Sequence, residues 1–356
     1  MAITSTSWVS VADLHLDNSD RYGRTDNEQI NSRVRDKIAA LNTAVEFAIE
    51  HLAGFFVILG DTFDTPRPLP RIKRLFYETL SRLECPIFIL LGNHEIGSFD
   101  GAFTGDEGLV RIFKGLDRTI TIVSSPFMYQ GNGYGTKFLF LPWMREFNSD
   151  SIPSDAEIVF GHLEISGALS NGFKLPGIDP NTVSNIPYVE LGHYHQHQSI
   201  GKNIQYVGSL SRCNFGEKDQ EKGFVYSRIL DPLTIPGKIL VESKFIPVPD
   251  KEFIEIVFSE AFDNQAVIAG HMGIIKAIFI GSREWLKSST VANWKSGIKE
   301  GNPLAVICFE NEIVSREDKN DVFELAESVS EEDVMSDVFQ GDKDAAVELL
   351  KEVVVE

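Results

Sequence analysis

The chain has 356 residues, a net charge of −19 and 43% apolar residues, the make-up of a soluble globular protein with a large core. Its three cysteines, Cys85, Cys213 and Cys308, are far apart with no CxxC spacing, which excludes a disulfide framework or a thiolate zinc site and suits a reducing cytoplasm. No basic segment followed by an apolar core opens the sequence, and no apolar run approaches the ~20 residues that span a bilayer, so the expected setting is cytoplasmic without a membrane.

The negative charge disfavours a strong stand-alone nucleic-acid binder, because phosphate contacts need Lys and Arg. It is unevenly spread. Residues 311–356 hold 15 acids and 4 bases, a net of −11, which leaves −8 for the first 310.

In chain order, Trp8–Val11 reads as a buried strand that runs into Asp13-Leu14-His15. Residues 17–30 read as a polar loop. A helix is predicted from about Ser32 to His51, with Val34, Ile38, Leu41, Val45 and Ala48 at helical spacing. The apolar run Phe55–Leu59 is a second strand and ends in Gly60-Asp61-Thr62-Phe63-Asp64. A helix over about Arg71–Leu83 follows. Strand Ile87–Leu91 then ends in Gly92-Asn93-His94-Glu95. Alternation of this kind predicts a parallel sheet covered on both faces.

From Thr119 to Trp143 the pattern predicts short strands, read as antiparallel additions to that sheet, with a turn at Gly131-Asn132-Gly133. Ile158–Phe160 and Tyr188–Leu191 are strands that end in Gly161-His162 and Gly192-His193-Tyr194-His195. Residues 166–187 read as a loop, and 198–230 return to strands. Four prolines between 232 and 249 mark a boundary. Beyond it, strands at 253–258, 275–280 and 303–309 with helices at about 261–270 and 283–298 predict a small α+β domain. The acidic tail from Asn320 reads as amphipathic helices with a stripe of Ala346, Leu349, Leu350 and Val353. Such short helices must dock on the chain's own body or on a partner.

Five strand tips thus carry metal-ligand side chains, where open α/β sheets hold ligands. They supply Asp13, His15, Asp61, Asn93, His162, His193 and His195. Hard oxygen mixed with imidazole, and no thiolate, suits Mn²⁺, Fe or Zn²⁺. Seven ligands are too many for one ion; two ions roughly 3.5 Å apart that share a carboxylate would use them, activate a water and clamp a phosphoryl group. Asp61 is read as the shared centre. His94 is then free to act on the leaving oxygen. His197 is read as a surface residue, and His271 as a plain structural or surface one.

Together these motifs resemble those of the calcineurin-like metallophosphoesterases, over residues 1 to about 230. The resemblance implies a four-layer α/β/β/α sandwich. It implies that Asp13, His15, Asp61 and His195 hold one metal, that Asp61, Asn93, His162 and His193 hold the other, and that His94 is the catalytic histidine. Gly60–Thr65 with its following prolines, Tyr206–Arg212, Phe215-Gly216-Glu217 and Lys222-Gly223-Phe224 resemble the DNA-repair nuclease branch of SbcD and Mre-eleven type, above all its T-even-like phage form. That implies a Mn²⁺-dependent DNA exonuclease or endonuclease for repair, recombination or replication, a homodimer that works with an SMC-like ATPase of SbcC or Rad-fifty type. Domains are expected at 1–235 (nuclease), 250–310 (α+β DNA cap) and 320–356 (ATPase-binding tail).

Two positions depart from the branch. Glu95 stands where it usually has Asp, and Asp64 where archaeal and eukaryotic relatives often have a second histidine. Arg67, Arg71, Lys73 and Arg74 are candidates for DNA phosphates or a plain solvated helix face, and Arg212 joins the candidates. The alternative function is a small-substrate phosphodiesterase or phosphatase on the same core.

Overall fold

The computed structural model describes residues 7–18, 21–96, 120–131, 135–149, 152–230, 239–259, 272–302 and 305–313. The helices read in the tail and over about 261–270, and His271, lie outside these residues. Two compact units divide the chain, residues 1–251 and 252–356.

In the first unit β1 (Ser7–Val11), β2 (Phe55–Ile58), β3 (Ile87–Leu90) and β4 (Ile120–Val123) run parallel. Helix α1 (Ser32–Glu50) joins β1 to β2 and α2 (Pro70–Leu80) joins β2 to β3. The α1 start is set by Asn31, whose side chain accepts from the Arg33 N–H, and Pro occupies the first turn of α2, where its missing donor costs nothing. A second sheet holds β5 (Phe127–Gly131), β6 (Thr136–Leu141), β7 (Ile158–His162), β10 (Tyr188–Gly192), β11 (Gln198–Ile200) and β12 (Ile204–Tyr206). Between β7 and β10 lies a hairpin of β8 (Leu169–Ser170) and β9 (Phe173–Lys174).

The strands from Thr119 to Trp143 are therefore not antiparallel extensions of one sheet. β4 adds in parallel to β3, while β5 and β6 form an antiparallel pair in the second sheet. β13 (Gly223–Leu230) and β14 (Leu240–Pro247) return to the first sheet, in the order β14-β13-β1-β2-β3-β4. β14 occupies much of the stretch read as a boundary, paired along its whole length with β13.

Strand alternation sorts the core into layers. Val9, Val11, Phe56 and Ile58 face α1 and α2. Trp8, Phe55, Val57, Phe88, Phe138, Phe140 and Phe160 fill the space between the sheets, with Phe88 and Phe140 stacked at 4.4 Å. Leu139, Val159, Val189 and Leu191 face outward from the second sheet under Ala168, Val183 and Ile186. A loop and a 3₁₀ turn at Pro180–Val183 supply that covering layer here. The first unit is thus a mixed α/β sandwich with two central sheets.

The second unit has a parallel sheet of β15 (Phe253–Ser259), β16 (Ile274–Gly281) and β17 (Val306–Ile313). Helices α3 (Arg283–Leu286) and α4 (Ser289–Gly301) stand where one helix over 283–298 is expected, because the Ser288 hydroxyl caps a fresh N-terminus by accepting from Val291 N–H. Phe258, Phe279, Val291 and Ile298 form its core. No helix among the described residues is long and apolar enough to cross a membrane.

Candidate metal centre

The C-terminal tips of β1, β2, β3, β7 and β10 meet, and all seven ligand candidates converge there. Register does part of this work: Gly192 and His162 are direct partners across β10 and β7. Backbone geometry does the rest. Asp13, His15, Asp61 and His193 have positive φ (52°, 44°, 48° and 103°), a conformation that L-residues adopt at a cost. It turns each side chain off the strand direction and into the common space. Two glycines make room. Gly60, at φ +88°, would drive a Cβ to 2.3 Å from His162 Nδ1, and a Cβ on Gly92 would fall 2.1 Å from Asp61 Oδ1.

Two clusters result, Asp13/His15/His195 and Asp61/His162/His193, each with its ligand atoms mutually within 4.8 Å. His15 Nε2 and His195 Nε2 face each other at 3.0 Å. In the second cluster His162 Nε2 lies 3.1 Å from Asn93 Oδ1 and 3.3 Å from His193 Nδ1. Asp61 Oδ2 is 3.3 Å from His162 Nε2 and 3.7 Å from His15 Nε2, so one carboxylate oxygen reaches both clusters.

The outer nitrogens identify these rings as ligand-like. His15 Nδ1 lies 2.9 Å from Asp64 Oδ1, His195 Nδ1 2.8 Å from Glu217 Oε1, His162 Nδ1 2.7 Å from Leu59 O and His193 Nε2 3.4 Å from Glu164 Oε1. With metal bound, these acceptors would fix the tautomers that turn lone pairs inward, the usual support of a metal-bound imidazole. Asp13 and Asp61 are buried, 1% and 2% exposed, with no Lys or Arg partner at salt-bridge distance among the described residues. A buried carboxylate without a cation is costly. Two divalent cations fit this donor set and would supply the missing charge.

Without metal, protonated imidazoles stand in for that charge. Burial pushes the Asp13 carboxyl up, against the nearby imidazoles. Burial would also raise Asp61, but His162 outweighs it and holds Asp61 well below the carboxylate range. Burial and then the His162 charge push His193 down to about 3. The hydrogen bond to Asp64 pushes His94 up to about 9.

His94 is not one of the seven, though its ring packs edge-on against that of His15 at 4.7 Å. Its Nδ1 lies 3.0 Å from Asp64 Oδ1, its ring is 39% exposed, and its backbone N–H donates to Asp61 Oδ1 at 3.0 Å. Asp64 thus serves His15 and His94 with one oxygen. Glu95 does not touch His94. Its buried carboxylate accepts from the backbone N–H groups of Asp61, Phe63 and Gly92 at 3.1, 2.8 and 2.7 Å, tying two strand tips together. Burial, then the Asp61 charge, pushes Glu95 up to about 8.

A cavity of about 400 Å³ opens over the cluster, lined by Asp64, Asn93, His94, His193 and His195, and by Arg21, Tyr22 and Lys37. Among the described residues Arg67, Arg71, Arg74 and Arg212 do not line it. Arg74 pairs with Glu78 at 3.5 Å on the exposed face of α2, and Arg71 reaches Gln29 Oε1 at 3.4 Å. The Arg212 guanidinium contacts Asp250 Oδ2 at 3.3 Å and Lys218 O at 2.9 Å, a tie to the end of the first unit. His197 is half-buried, stacked on Phe245 at 4.2 Å, and so is a packing residue more than a surface one.

Sequence reasoning missed the support of His195. Glu217 accepts from Cys213 N–H (3.0 Å) and Asn214 Nδ2 (2.9 Å) and pairs with the buried Lys222 at 2.7 Å. Lys222 also donates to Ser209 Oγ and His195 O. Burial opposes ionisation of Glu217, but His195 and Lys222 hold it at about 2. Both residues lie in a stretch singled out for its resemblance, but their burial and pairing are visible only in the structure.

A sandwich of two sheets with paired ligand groups at its strand tips is a metallophosphoesterase. The family described as calcineurin-like phosphoesterase matches residues 9–197, and the chain belongs to it: a hydrolase family built on a dinuclear metal centre. Among curated proteins it is similar to the DNA double-strand break repair protein Mre11 of Archaeoglobus fulgidus, 25% identical over 283 residues, which are 72% of this chain and 60% of that protein. The chain thus spans about 60% of that relative's length. Similar solved structures include a dimetal phosphatase from Danio rerio (10% identity, TM-score 0.39, covering 64% of this chain and 93% of that one). Another is a 5′-nucleotidase from Candida albicans (14%, TM-score 0.37, covering 69% and 52%).

Proposed function

We propose that this chain is the nuclease subunit of a DNA repair and recombination complex, hydrolysing phosphodiesters with two manganese ions at Asp61. The observation that carries the reading is that one oxygen of Asp61 reaches both ligand clusters. The match to a double-strand break repair protein supports DNA as the substrate. In this reading Asp13, His15, Asp61 and His195 hold one ion, and Asp61, Asn93, His162 and His193 the other. Bound there, such ions would supply an activated water and would offset the charge on a phosphoryl group.

The protein's own part is positioning and proton supply. His94 lines the cavity with its Nδ1 on Asp64, which leaves Nε2 to give a proton to the leaving oxygen. Asp64 keeps His94 charged and fixes His15 at the same time. Arg21, packed over the Tyr22 ring at 4.7 Å, brings a cation to the same cavity. Arg67, Arg71 and Arg74 are assigned to more distant phosphates.

Three further assignments complete the proposal: residues 250–310 cap the DNA, the acidic tail docks on an SMC-like ATPase, and the chain works as a homodimer in the cytoplasm. The half-buried thiols of Cys85 and Cys213 suit that compartment. Removal of the chain after Lys319 should leave Mn²⁺-dependent cleavage within a few-fold and abolish co-purification with the ATPase.

The deciding experiment is a nuclease assay on linear and circular DNA with Mn²⁺ against Mg²⁺. Mn²⁺-dependent cleavage is expected. Turnover of p-nitrophenyl phosphate with no cleavage of any DNA would instead establish a small-substrate phosphatase.

A further inference from the structure

A second cavity, of about 270 Å³, adjoins the first at His193 and His195. The two cavities share His193, His195 and Asn214 as a common wall. They differ in chemistry. The first offers the cations Arg21 and Lys37. Among its described lining residues the second has no Lys or Arg; it has Ser170, Asn171, Gln196 and Gln220, with Leu175 and the Tyr194 ring as apolar surface. Its one carboxylate, Glu217, is buried and paired with Lys222.

Such a lining offers no cation to a second phosphate and suits a neutral polar group with a flat face. Carboxamides both donate and accept, the combination that base edges present. The volume sits just below the ~300 Å³ lower end of small-ligand sites, enough for one nucleoside and too small for a duplex.

We propose that this cavity is a nucleoside subsite, which takes the sugar and base attached to the phosphate held at the His193/His195 wall. The inference rests on phosphodiester hydrolysis at the metal centre and adds what the substrate must carry beside its phosphate. Asn171 and Gln196 grip the base by their amides, while Leu175 packs against its face.

The test uses the full Mn²⁺-loaded chain and two diesters with the same leaving group. Thymidine 5′-(p-nitrophenyl phosphate) has a nucleoside; bis(p-nitrophenyl) phosphate has none. Asn171 has φ +47°, so Asn171→Gly removes the amide and keeps the backbone at ease; it is combined with Gln196→Leu. Loss of these hydrogen bonds should lower kcat/KM on the thymidine ester about tenfold, mainly through KM, and leave the other diester within about twofold. Parallel loss on both diesters, or no loss on either, overturns the subsite.

A binding measurement decides the matter without turnover. By calorimetry the wild type should hold dTMP about tenfold more tightly than inorganic phosphate, and the double variant should hold the two alike. Equal affinities in the wild type overturn the proposal. If neither diester is hydrolysed, the phosphodiesterase reading falls, while the nucleotide preference still rules on the cavity. Should the double variant not fold, Asn171→Gly alone, at the exposed hairpin turn, carries the comparison.

Discussion

Lys222 and Glu217 form an ion pair of 2.7 Å with side chains 0% and 3% exposed, and through Glu217 the lysine reaches His195. Breaking such a pair from one side leaves a buried charge and costs about 3–5 kcal/mol. Lys222→Met should therefore lower the melting temperature of the metal-free protein by roughly 6–20 °C. The double variant Lys222→Met/Glu217→Gln should melt above Lys222→Met, because no charge is stranded. Glu217→Gln alone should weaken metal affinity about 10–100-fold, the usual effect of an outer partner of a ligand histidine. Thermal melts and metal titration check all three; unchanged metal affinity would confine Glu217 to structure.

Asp61→Asn should strip more metal than any other single ligand change. Asparagine tolerates the left-handed φ of 48°, so the backbone is spared and only charge is lost. Metal analysis should give less than one ion per chain in Asp61→Asn. His162→Ala should lose an ion from its own cluster only. The opposite pattern would remove Asp61 from the shared position.

His94→Ala should keep both ions and lose about 10²–10⁴ in rate, the typical contribution of a proton donor. Metal content is expected to survive because His94 bonds Asp64 through Nδ1 and touches the His15 ring only edge-on, at 4.7 Å. Near-normal turnover, or loss of metal, would end the assignment.

A pH signature is expected between the sheets. Glu190 is fully buried there, accepting from Tyr188 Oη at 2.7 Å and Trp8 Nε1 at 3.3 Å. Burial pushes its carboxyl above the ordinary 4.5, against those hydrogen bonds. The native state therefore keeps a proton that the unfolded chain releases, and stability falls as pH rises from about 4.5 toward the raised native value. Glu190→Gln keeps the shape and removes the proton. Its melting temperature should gain on the wild type between pH 5 and pH 8; parallel profiles would show that Glu190 titrates normally.

The five strand tips were legible because each is a local signal: a short apolar run, then a glycine or a turn, then a ligand side chain. Two sheets were not. Phe138, Phe140 and Phe160 are buried whichever sheet they join, and burial alone does not say which neighbour a strand pairs with. β14 escaped for the opposite reason. Its Glu242, Ser243 and Lys244 are exposed, and an edge strand with that much polar surface looks like a linker. Glu217 lies 22 residues from His195, and only the fold brings them together. Asp64 was visible as a residue, but its sharing by two histidines is a matter of three-dimensional geometry.

The left-handed backbone at Asp13, His15 and Asp61 has a consequence for how this site can vary. A β-branched or bulky side chain at these positions would strain the main chain by roughly 1–3 kcal/mol before its chemistry mattered. Random variants there are therefore sieved twice, by conformation first and by ligand chemistry second. Glycine, asparagine and aspartate pass the first sieve most easily, and only aspartate among them brings a charge. A saturation library at positions 13 and 61 should return folded but inert glycine and asparagine chains in excess. Shape by itself would thus keep aspartate within one substitution step of most survivors.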